Sequence, residues 1–561
     1  MKKAAGASSL GVGLPFSKKT WDWAGVHDWA PLRYYIAALD TMGATFMDHD
    51  RRKFLRTTLS AAAGAASLPA TQLQQASASL LVDPAPRFDI SPHLYMQFME
   101  PLGTTDSSLE AAWDYDKDDW RSDFIALSRD LAPGMVRYGG NYSHYYKWRE
   151  GVGPVASRPR MRNYDWGGWE THRVGTHEFV DYCRRVQAEP LYCVNFLSDG
   201  RKNLWATKEG NRSGDAREAA DWVSYCNDPD HRERRANGAR DPLGVKIWQL
   251  GNETSYGTER FTVEQAIGHT IDFAKAMRQR DPSLKLIGWG DLGRGRDEKL
   301  WAWDMLDRAG EHLDYIAIHM MGQRPIRKDT VLRGSRYQAA PEQAWDELLE
   351  MTKRIETRVR SIEEAVAAKK PTCHIAITEG HLSLAPHNAN AILLEWMTGV
   401  FHARSMNIYQ RHGAKVKIST CADFCGSRWT VNALLMQVPA GVSYLTPAGC
   451  VMRLFGRHNG TTGVDLAAVP DGLDVAASRT GNRVWLHVAN TNYRGSVEAS
   501  LGVKGMTVKG GRVWEIAPPS LRAMVTQDEP EVFKPREAAL PGDARWRFPA
   551  GSVSAVELDC A

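Results

Sequence analysis

The stretch Lys246-Ile247-Trp248-Gln249-Leu250-Gly251-Asn252-Glu253 decides the fold. Its first five residues form a short, largely apolar run, which is typical of a buried strand. A Gly-Asn turn and the carboxylate of Glu253 follow directly. In a (β/α)8 barrel, catalytic groups stand at the carboxyl ends of the strands. A strand of such a barrel that ends at Glu253 needs seven partners elsewhere in the chain.

Seven further apolar runs of suitable length flank this stretch, and amphipathic helical patterns separate them. Together they predict strands at Leu94–Phe98, Met135–Arg137, Leu191–Phe196, Val245–Leu250, Leu284–Trp289, Tyr315–His319, His374–Thr378 and Val416–Thr420. The helical patterns cover Trp120–Leu131, Thr176–Gln187, Thr262–Arg280, Pro341–Lys369 and Asn390–His412. Strands that alternate with helices predict a parallel sheet. Eight such units predict an α/β fold, a (β/α)8 TIM barrel with insertions.

A second glutamate stands in an equivalent place. Glu379 ends the seventh predicted strand in His374-Ile375-Ala376-Ile377-Thr378-Glu379-Gly380. Strands four and seven lie on opposite sides of the barrel mouth, so Glu253 and Glu379 can face each other across it. Two carboxylates in a pocket are what glycoside hydrolysis needs, one as proton donor and one as nucleophile or base. We expect burial and the nearby charge of Glu379 to raise the pKa of Glu253.

The pattern changes after about residue 430. Short strands of period two are predicted at Leu473–Ser478, Arg483–Ala489, Ser496–Leu501, Arg512–Ile516 and Val553–Leu558, and no long helix is expected. This predicts a C-terminal antiparallel β-sandwich over 431–561, joined by a strand from 79–93. The catalytic barrel is then 79–430, and its segment 199–241 is expected to be a long loop around a short helix.

Length and charge exclude several classes of protein. A chain of 561 residues with 43% hydrophobic content is expected to fold into at least two domains. The first 78 residues hold nine basic and five acidic residues and carry the whole formal charge of +4, so residues 79–561 are neutral. Nucleic-acid binding is therefore not expected, nor is a membrane association after export, since no apolar run reaches about 20 residues. The 20 tryptophans suit sugar faces, but composition alone favours the interpretation that many of them pack a large core.

Residues 1–78 have the pattern of an export leader. Arg51-Arg52-Lys53-Phe54-Leu55 is a twin-arginine motif, a mild apolar stretch runs to Ala70, and Ala76-Ser77-Ala78 fits a cleavage site. Met47 stands just before the motif, so we expect translation to begin there and not at Met1. The alternative is a chance Arg pair before an Ala-rich helix. The mature protein is expected to begin near Ser79 and to act in the periplasm or outside the cell.

The eight cysteines form no CxxC pair and no zinc pattern with histidine. Cys421 and Cys425 are four residues apart, which is a weak metal signal. We predict no metal site and no cofactor, and the spacing assigns no disulfide.

Four stretches resemble glycoside hydrolase family 51, the α-L-arabinofuranosidase family of the clan A barrels. Phe98–Gly103 is similar to the family motif F-x-E-H-L-G, and Arg137–Tyr142 is similar to R-x-P-G-G-N-F. Trp166–Gly175 is similar to W-x-x-x-E-T-N-x-x-G. Val223–Asn227 is similar to V-E-Y-C-N, and Gly251–Glu253 matches G-N-E. Order and spacing hold over most of residues 90–320, whereas the C-terminal part is similar only in outline.

The resemblance implies roles residue by residue. Glu253 would be the acid/base and Glu379 the nucleophile of a retaining reaction on a carbohydrate substrate. Asn252 would bind the sugar hydroxyl next to the anomeric carbon. The remaining implied substrate-binding positions are Glu100, Arg137, Asn141, Trp166, His319, Met321 and Asp423. Arg137 could instead position a carboxylate, and Asn141 could serve only the Gly-Gly turn. Family members commonly form oligomers, so a homo-oligomer is an open expectation.

Departures from the family pattern cluster around the sugar. The family's H-x-Y on strand six is His319-Met320-Met321, so a tyrosine is replaced by Met321. Its D-E-W-N is Thr378-Glu379-Gly380-His381, and a glutamine of strand eight is Asp423. The proline of R-x-P-G-G-N is missing and the asparagine of E-T-N is His172. His381 and Asp423 could bind substrate or be structural.

Three functions remain open from the sequence. The first is an exo-acting α-L-arabinofuranosidase, and the second is a clan A glycosidase of other specificity, such as a β-xylosidase, β-glucosidase or endoglucanase. The third is a carbohydrate-binding protein that keeps the barrel without turnover.

Overall fold

Eight parallel strands form the barrel in a computed structural model that describes residues 78–201, 211–256, 260–293, 299–322, 324–439 and 441–561. They are Met96–Met99, Met135–Tyr138, Glu189–Val194, Ile247–Leu250, Lys285–Trp289, Tyr315–Met321, His374–His381 and Val416–Ile418, and each pairs with the next. The first and last strands meet where the Met96 amide donates to the Ser419 carbonyl over 2.9 Å, so the barrel is nearly closed. The predicted (β/α)8 fold is confirmed.

A helix follows each strand. The eight are Ser122–Leu131, Thr176–Val186, Ala216–Asn227, Val263–Arg280, Ala302–Ala309, Pro341–Lys369, Met397–Arg411 and Pro447–Arg457. Local sequence sets several of their starts: Thr262 and Gln265 form a capping box before Val263–Arg280, and Pro341 opens its helix at a position that needs no amide donor. Short helices lie at Gly103–Asp106, Ser108–Ala112 and Arg232–Ala236.

The last barrel helix corrects one expectation. Pro447–Arg457 packs against Ser122–Leu131 and Met397–Arg411, although no long helix is expected after residue 430. Its start is signalled by Thr446, whose hydroxyl accepts from the Gly449 amide, and by Pro447 in the first turn.

Connections over the barrel mouth contain small additional strands. Two hairpins pair Trp113–Asp114 with Asp119–Trp120 and Met161–Arg162 with Trp169–Glu170, and a small sheet joins Asp423–Gly426, Asn432–Leu435 and Tyr444–Leu445. Single 3-10 turns lie at Asn141–His144, Trp148–Gly151, Val155–Ser157, Leu197–Gly200, Gly310–His312, Arg336–Gln338 and Ala391–Leu394.

The barrel interior is apolar at its base. Met96, Met135, Leu191, Ile247, Ile287, Ala317, Ala376 and Ile418 contribute to one buried cluster. Because side chains alternate along a strand, the next inward positions of these strands form a second layer nearer the carboxyl ends. That layer holds the polar side chains of Arg137, Gln249, His319 and Glu379 beside the apolar Phe98 and Trp289.

The second sheet has nine strands and is almost entirely antiparallel. In chain order they are Ala78–Asp89, Thr462–Ala468, Leu473–Thr480, Arg483–Asn490, Val497–Val503, Val508–Ile516, Arg536–Ala539, Arg545–Phe548 and Val553–Cys560. Only Ala78–Asp89 and Val497–Val503 pair in parallel. Phe548 and Val513, from distant places in the strand order, share one core, so the sheet folds over itself.

This sheet packs on the helical side of the barrel. His487 stacks on Phe455 with ring centroids 4.0 Å apart, and Asn407 donates to Asp474 over 2.9 Å. The strand predicted within 79–93 is Ala78–Asp89, and the boundary at residue 430 stays a prediction.

Three sequence expectations concern compartment and core. The leader lies outside the described residues. No described helix is long and apolar enough to cross a membrane. All eight cysteines are buried and none is paired. The largest fully buried side chains include Trp148, Trp248, Trp289, Trp345 and Trp396, so much of the tryptophan content serves the core.

Candidate active site

Two glutamates from the fourth and seventh strands meet at the barrel mouth. Glu253 follows the fourth strand in a left-handed backbone conformation, with φ of 53°. A register shift at Thr378 breaks the pairing between the sixth and seventh strands and sets Glu379 beside His319. Bulges of this kind re-aim side chains next to functional sites. The sequence predicts that the two carboxylates face each other, and the structure brings them together.

His319 lies between these two carboxylates. Its Nδ1 is 3.0 Å from Glu253 Oε1 and 3.5 Å from Glu379 Oε2. One ligand atom from each of the three side chains lies within 4.8 Å of the others. In the described part of the chain, this group has the atoms to hold a metal ion, and it equally fits a pair of catalytic carboxylates. The absence of a metal in the native protein stays a prediction.

Arg137 joins the nucleophile candidate to the fourth strand. Its guanidinium donates to Glu379 Oε1 over 2.7 Å, to Asn252 Oδ1 over 2.7 Å and to Gln249 Oε1 over 2.9 Å. The side chain is fully buried. The guanidinium donates to three protein acceptors and has no exposed surface. The geometry therefore favours the role of positioning a carboxylate over direct substrate contact.

Asn252 is held from several sides. Its side-chain amide donates to Asn141 Oδ1 over 3.2 Å, and its backbone amide donates to Asp199 Oδ1 over 3.2 Å. His144 Nε2 lies 3.1 Å from the Asn252 carbonyl oxygen. Asn141 therefore does more than complete the Gly-Gly turn, because it fixes the amide of Asn252.

Glu100 and Trp166 form one wall of the site. Its Oε1 accepts from the Trp166 indole over 3.0 Å and from the Tyr142 amide over 3.1 Å. Trp166 packs edge-on against Trp429 with centroids 5.2 Å apart. Burial and the charge of Glu379 raise the pKa of Glu100 well above its usual range.

The upper rung of the sixth and seventh strands pairs Met321 with His381. His381 Nδ1 is 2.6 Å from Asp423 Oδ1, and both side chains are almost fully buried. Met321 is partly buried and brings no hydrogen-bonding group comparable to a tyrosine hydroxyl. Three of the departures from the family pattern, Met321, His381 and Asp423, therefore lie together on one wall.

The protonation of Glu253 differs from expectation. Burial raises its pKa, but the hydrogen bond from His319 and the charges of His319 and Arg260 outweigh burial and lower the pKa to about 2. The expected upward shift is therefore wrong for the free site. Sequence reasoning considered Glu379 as the neighbour of Glu253 and left out the imidazole between them.

A family model and several curated proteins match this chain. The model described as "Alpha-L-arabinofuranosidase 1 domain" matches residues 127–340. The chain resembles glycoside hydrolase family 51. An "Intracellular exo-alpha-(1->5)-L-arabinofuranosidase 1" of Bacillus subtilis is 32% identical over 244 residues, 41% of this chain and 45% of that protein. A "Probable alpha-L-arabinofuranosidase C" of Aspergillus terreus is 31% identical over 308 residues, 53% of this chain and 58% of that protein. The chain thus spans about half the length of these relatives.

Solved structures agree on the fold. An α-L-arabinofuranosidase from Thermotoga maritima in complex with arabinose superposes with a TM-score of 0.69 at 22% identity, over 86% of this chain and 99% of that one. A GH51 arabinofuranosidase from Xanthomonas axonopodis pv. citri gives 0.71 at 20% identity, over the same shares. At this identity the likeness concerns the fold.

Sequence reasoning missed the groups behind Asn252. Asp199 and His144 are fully buried, and Gln249 also donates to the Gly251 carbonyl over 3.0 Å, which fixes the turn before Asn252. A usable signal was present for Asp199, because it follows the third strand, where a barrel gathers functional groups. Nothing in the sequence alone pairs His144 with Asn252, since 108 residues separate them.

Proposed function

We propose that the protein is a retaining exo-acting glycoside hydrolase that removes terminal α-L-arabinofuranosyl residues from polysaccharide or oligosaccharide. The observation that carries this proposal is the arrangement of Glu253 and Glu379 around His319. One oxygen of the Glu253 carboxylate lies within 4.8 Å of one oxygen of the Glu379 carboxylate. Retaining glycosidases hold their carboxyl groups about 5 to 5.5 Å apart, whereas inverting ones leave roughly 6.5 to 9.5 Å for a water molecule.

In the first step Glu379 attacks the anomeric carbon. The bond from this carbon to the leaving oxygen breaks, and that oxygen takes a proton from Glu253. In the second step a water molecule gives its proton to Glu253 and attacks the same carbon, which releases Glu379. The hydrogen bond from Arg137 to Glu379 Oε1 holds the attacking carboxylate in position.

Glu253 must bind a proton before the first step. In the free site its pKa is lowered to about 2, with the His319 hydrogen bond as the largest cause of lowering. A bound sugar that enters between these side chains would exclude water and weaken that bond. Both changes raise the pKa of Glu253 and favour its protonated form.

The sugar is assigned from the relatives, whose names give arabinofuranosides and, for the bacterial ones, exo action. Met321, His381 and Asp423 depart from the family pattern on one wall of the site. The alternative is therefore a glycosidase of other specificity, a β-xylosidase, β-glucosidase or endoglucanase. Export through the twin-arginine leader also belongs to the proposal, although the bacterial relatives are named intracellular. Export is tested in cells that express the whole chain. The amount of protein in the periplasmic and culture fractions is compared between the wild type and an Arg51→Lys, Arg52→Lys variant.

Release of nitrophenol from aryl glycosides tests the activity. The panel contains α-L-arabinofuranoside, β-xyloside, β-glucoside and β-galactoside, assayed with the wild type, Glu379→Ala and Glu253→Ala. Glu364→Ala is the matched control, because this glutamate is exposed on the helix Pro341–Lys369. We expect turnover of the arabinofuranoside, loss in both active-site variants and no change in the control.

Small anions then separate the two roles. Formate added to Glu379→Ala should restore turnover by occupying the space of the missing carboxylate. Azide added to Glu253→Ala should give a glycosyl azide of retained configuration. Turnover of another glycoside would keep the mechanism and change the substrate. No turnover on any glycoside or polysaccharide would contradict the proposal.

A further inference from the structure

The wall above the nucleophile contains a polar pair that the reaction steps leave unused. Glu379 and His381 are two residues apart on one strand, so their side chains share a face. Gly380 between them faces the other way, where a Cβ atom would lie 2.5 Å from the Thr420 carbonyl oxygen. The sheet register pairs His319 with Glu379 and Met321 with His381. His381 therefore stands one rung nearer the mouth than the nucleophile.

Asp423 fixes the imidazole of His381. The Nδ1 to Oδ1 distance is 2.6 Å, so Nδ1 donates a hydrogen bond to the Asp423 carboxylate, and the opposite nitrogen, Nε2, is directed away from Asp423. Nε2 is buried and has no hydrogen-bond partner in the described structure. Buried polar atoms in folded proteins are nearly always paired, so an unpaired one on the side chain two residues from Glu379 calls for a partner.

We propose that His381 Nε2, oriented by Asp423, donates a hydrogen bond to a hydroxyl group of the neutral sugar bound next to Glu379. This inference rests on the proposed function and names a residue that selects its substrate. Met321, the rung neighbour, contributes only a thioether, so His381 is the polar group of this wall. Asp423 acts through His381 and is a positioning residue.

The charges around His381 decide its protonation. It faces Asp423 from the segment after the eighth strand, Glu379 on its own strand, Glu253 from the fourth strand, His387 in the following loop and His402 on Met397–Arg411. Burial lowers the pKa of His381, but the three carboxylates outweigh burial and raise it. The donor form is thus present below this raised pKa and is lost as the pH rises through it.

Three variants and one control test the inference. His381→Phe keeps a ring and removes the donor, His381→Gln restores a polar group at similar reach, and Asp423→Asn removes the partner charge. His312→Gln is the control, because this histidine lies on the turn Gly310–His312 before the sixth strand, at the end of the barrel opposite the mouth. The measurement is kcat and KM, from pH 5 to 9, for the aryl glycoside that the wild type hydrolyses.

We expect His381→Phe to lower kcat/KM about 10- to 100-fold, as for loss of one charge-assisted hydrogen bond. His381→Gln should recover a large part of this loss. Asp423→Asn should shift the alkaline fall of kcat/KM to lower pH, because it lowers the pKa of His381. His312→Gln should match the wild type. A merely structural role would lower the melting temperature and leave the pH profile in place.

Wild-type kcat/KM and an unchanged pH profile in folded His381→Phe and Asp423→Asn would overturn the inference. If His381→Phe does not fold, the pH profile of Asp423→Asn decides alone. If the wild type hydrolyses no glycoside, the proposed function fails separately, and calorimetric titration with L-arabinose decides. Binding that is lost in His381→Phe supports the inference, and equal binding or no binding overturns it.

Discussion

The guanidinium of Arg137 and the carboxylate of Glu379 form an ion pair of 2.7 Å inside the barrel mouth, and less than a tenth of either side chain is exposed. The two residues lie 242 positions apart in the sequence, on the second and seventh strands. Removing one partner of a buried pair leaves the other charge uncompensated, which costs about 3–5 kcal/mol. The same ion pair therefore stabilises the fold and holds the carboxylate of Glu379 in position.

Arg137→Lys tests this connection. Lysine keeps the charge but cannot donate at once to Glu379, Asn252 and Gln249 in the geometry of a guanidinium. We expect the free energy of unfolding to fall by about 3 kcal/mol and kcat/KM to fall at least about 100-fold. Urea denaturation and aryl glycoside turnover measure the two effects. Arg185→Lys, in the exposed pair with Asp119, should change stability by less than about 1 kcal/mol; an equal effect of both substitutions would contradict the assignment.

Glu253 should make stability depend on pH below about 4.5. Its pKa in the folded protein is about 2, below the usual value of 4.5, so the ionised form stabilises the fold. This contribution, up to about 3 kcal/mol, is complete above the unfolded pKa and is lost as the pH falls towards 2. The advantage of the wild type over Glu253→Gln should therefore be larger at pH 6 than at pH 3.

Denaturation of both proteins at the two pH values measures this difference. Glu364→Gln, at an exposed helix position, provides the control and should show the same difference from the wild type at both. A gap between the wild type and Glu253→Gln that stays constant or widens on acidification would show that His319 does not stabilise the charged form.

Gly140 keeps Glu100 in place through its lack of a side chain. Its φ is 98°, and a Cβ atom there would meet the Glu100 carboxylate. Gly140→Ala should therefore displace Glu100, raise KM for the glycoside and destabilise the fold by about 1–3 kcal/mol. Gly238→Ala is a matched control, because φ is 95° and nothing lies within 4 Å of its Cβ position. Both variants carry backbone strain, and only Gly140→Ala should change KM. A similar change of KM in both would argue against the clash.

Much of the fold could be predicted from periodicity, and the site only in outline. The eight strand runs and both glutamates follow from local pattern, because a buried parallel strand reads as an apolar run. The helix Pro447–Arg457 was not predicted, because the segments before it, Asp423–Gly426 and Asn432–Leu435, are short strands similar in length to the C-terminal ones. The position of His319 between Glu253 and Glu379 depends on a register shift at Thr378. The register of two strands depends on both of them, so the sequence of one segment does not predict it.

The pKa of Glu253 shows the same limit. Its direction depends on whether burial or a neighbouring donor dominates, and that donor lies 66 residues away on another strand. Residues such as Asp199 and His144 were likewise beyond a reading of local motifs, because their contacts join three separate loops.

The stereochemical course of the reaction tests the central claim most directly. Turnover of an α-L-arabinofuranoside in the presence of methanol traps the sugar as a stable methyl glycoside, and proton NMR reports its anomeric configuration. Double displacement by Glu379 and Glu253 predicts the methyl α-L-arabinofuranoside, with net retention. A β-configured sugar as the first product, without methyl glycoside of retained configuration, would contradict the account.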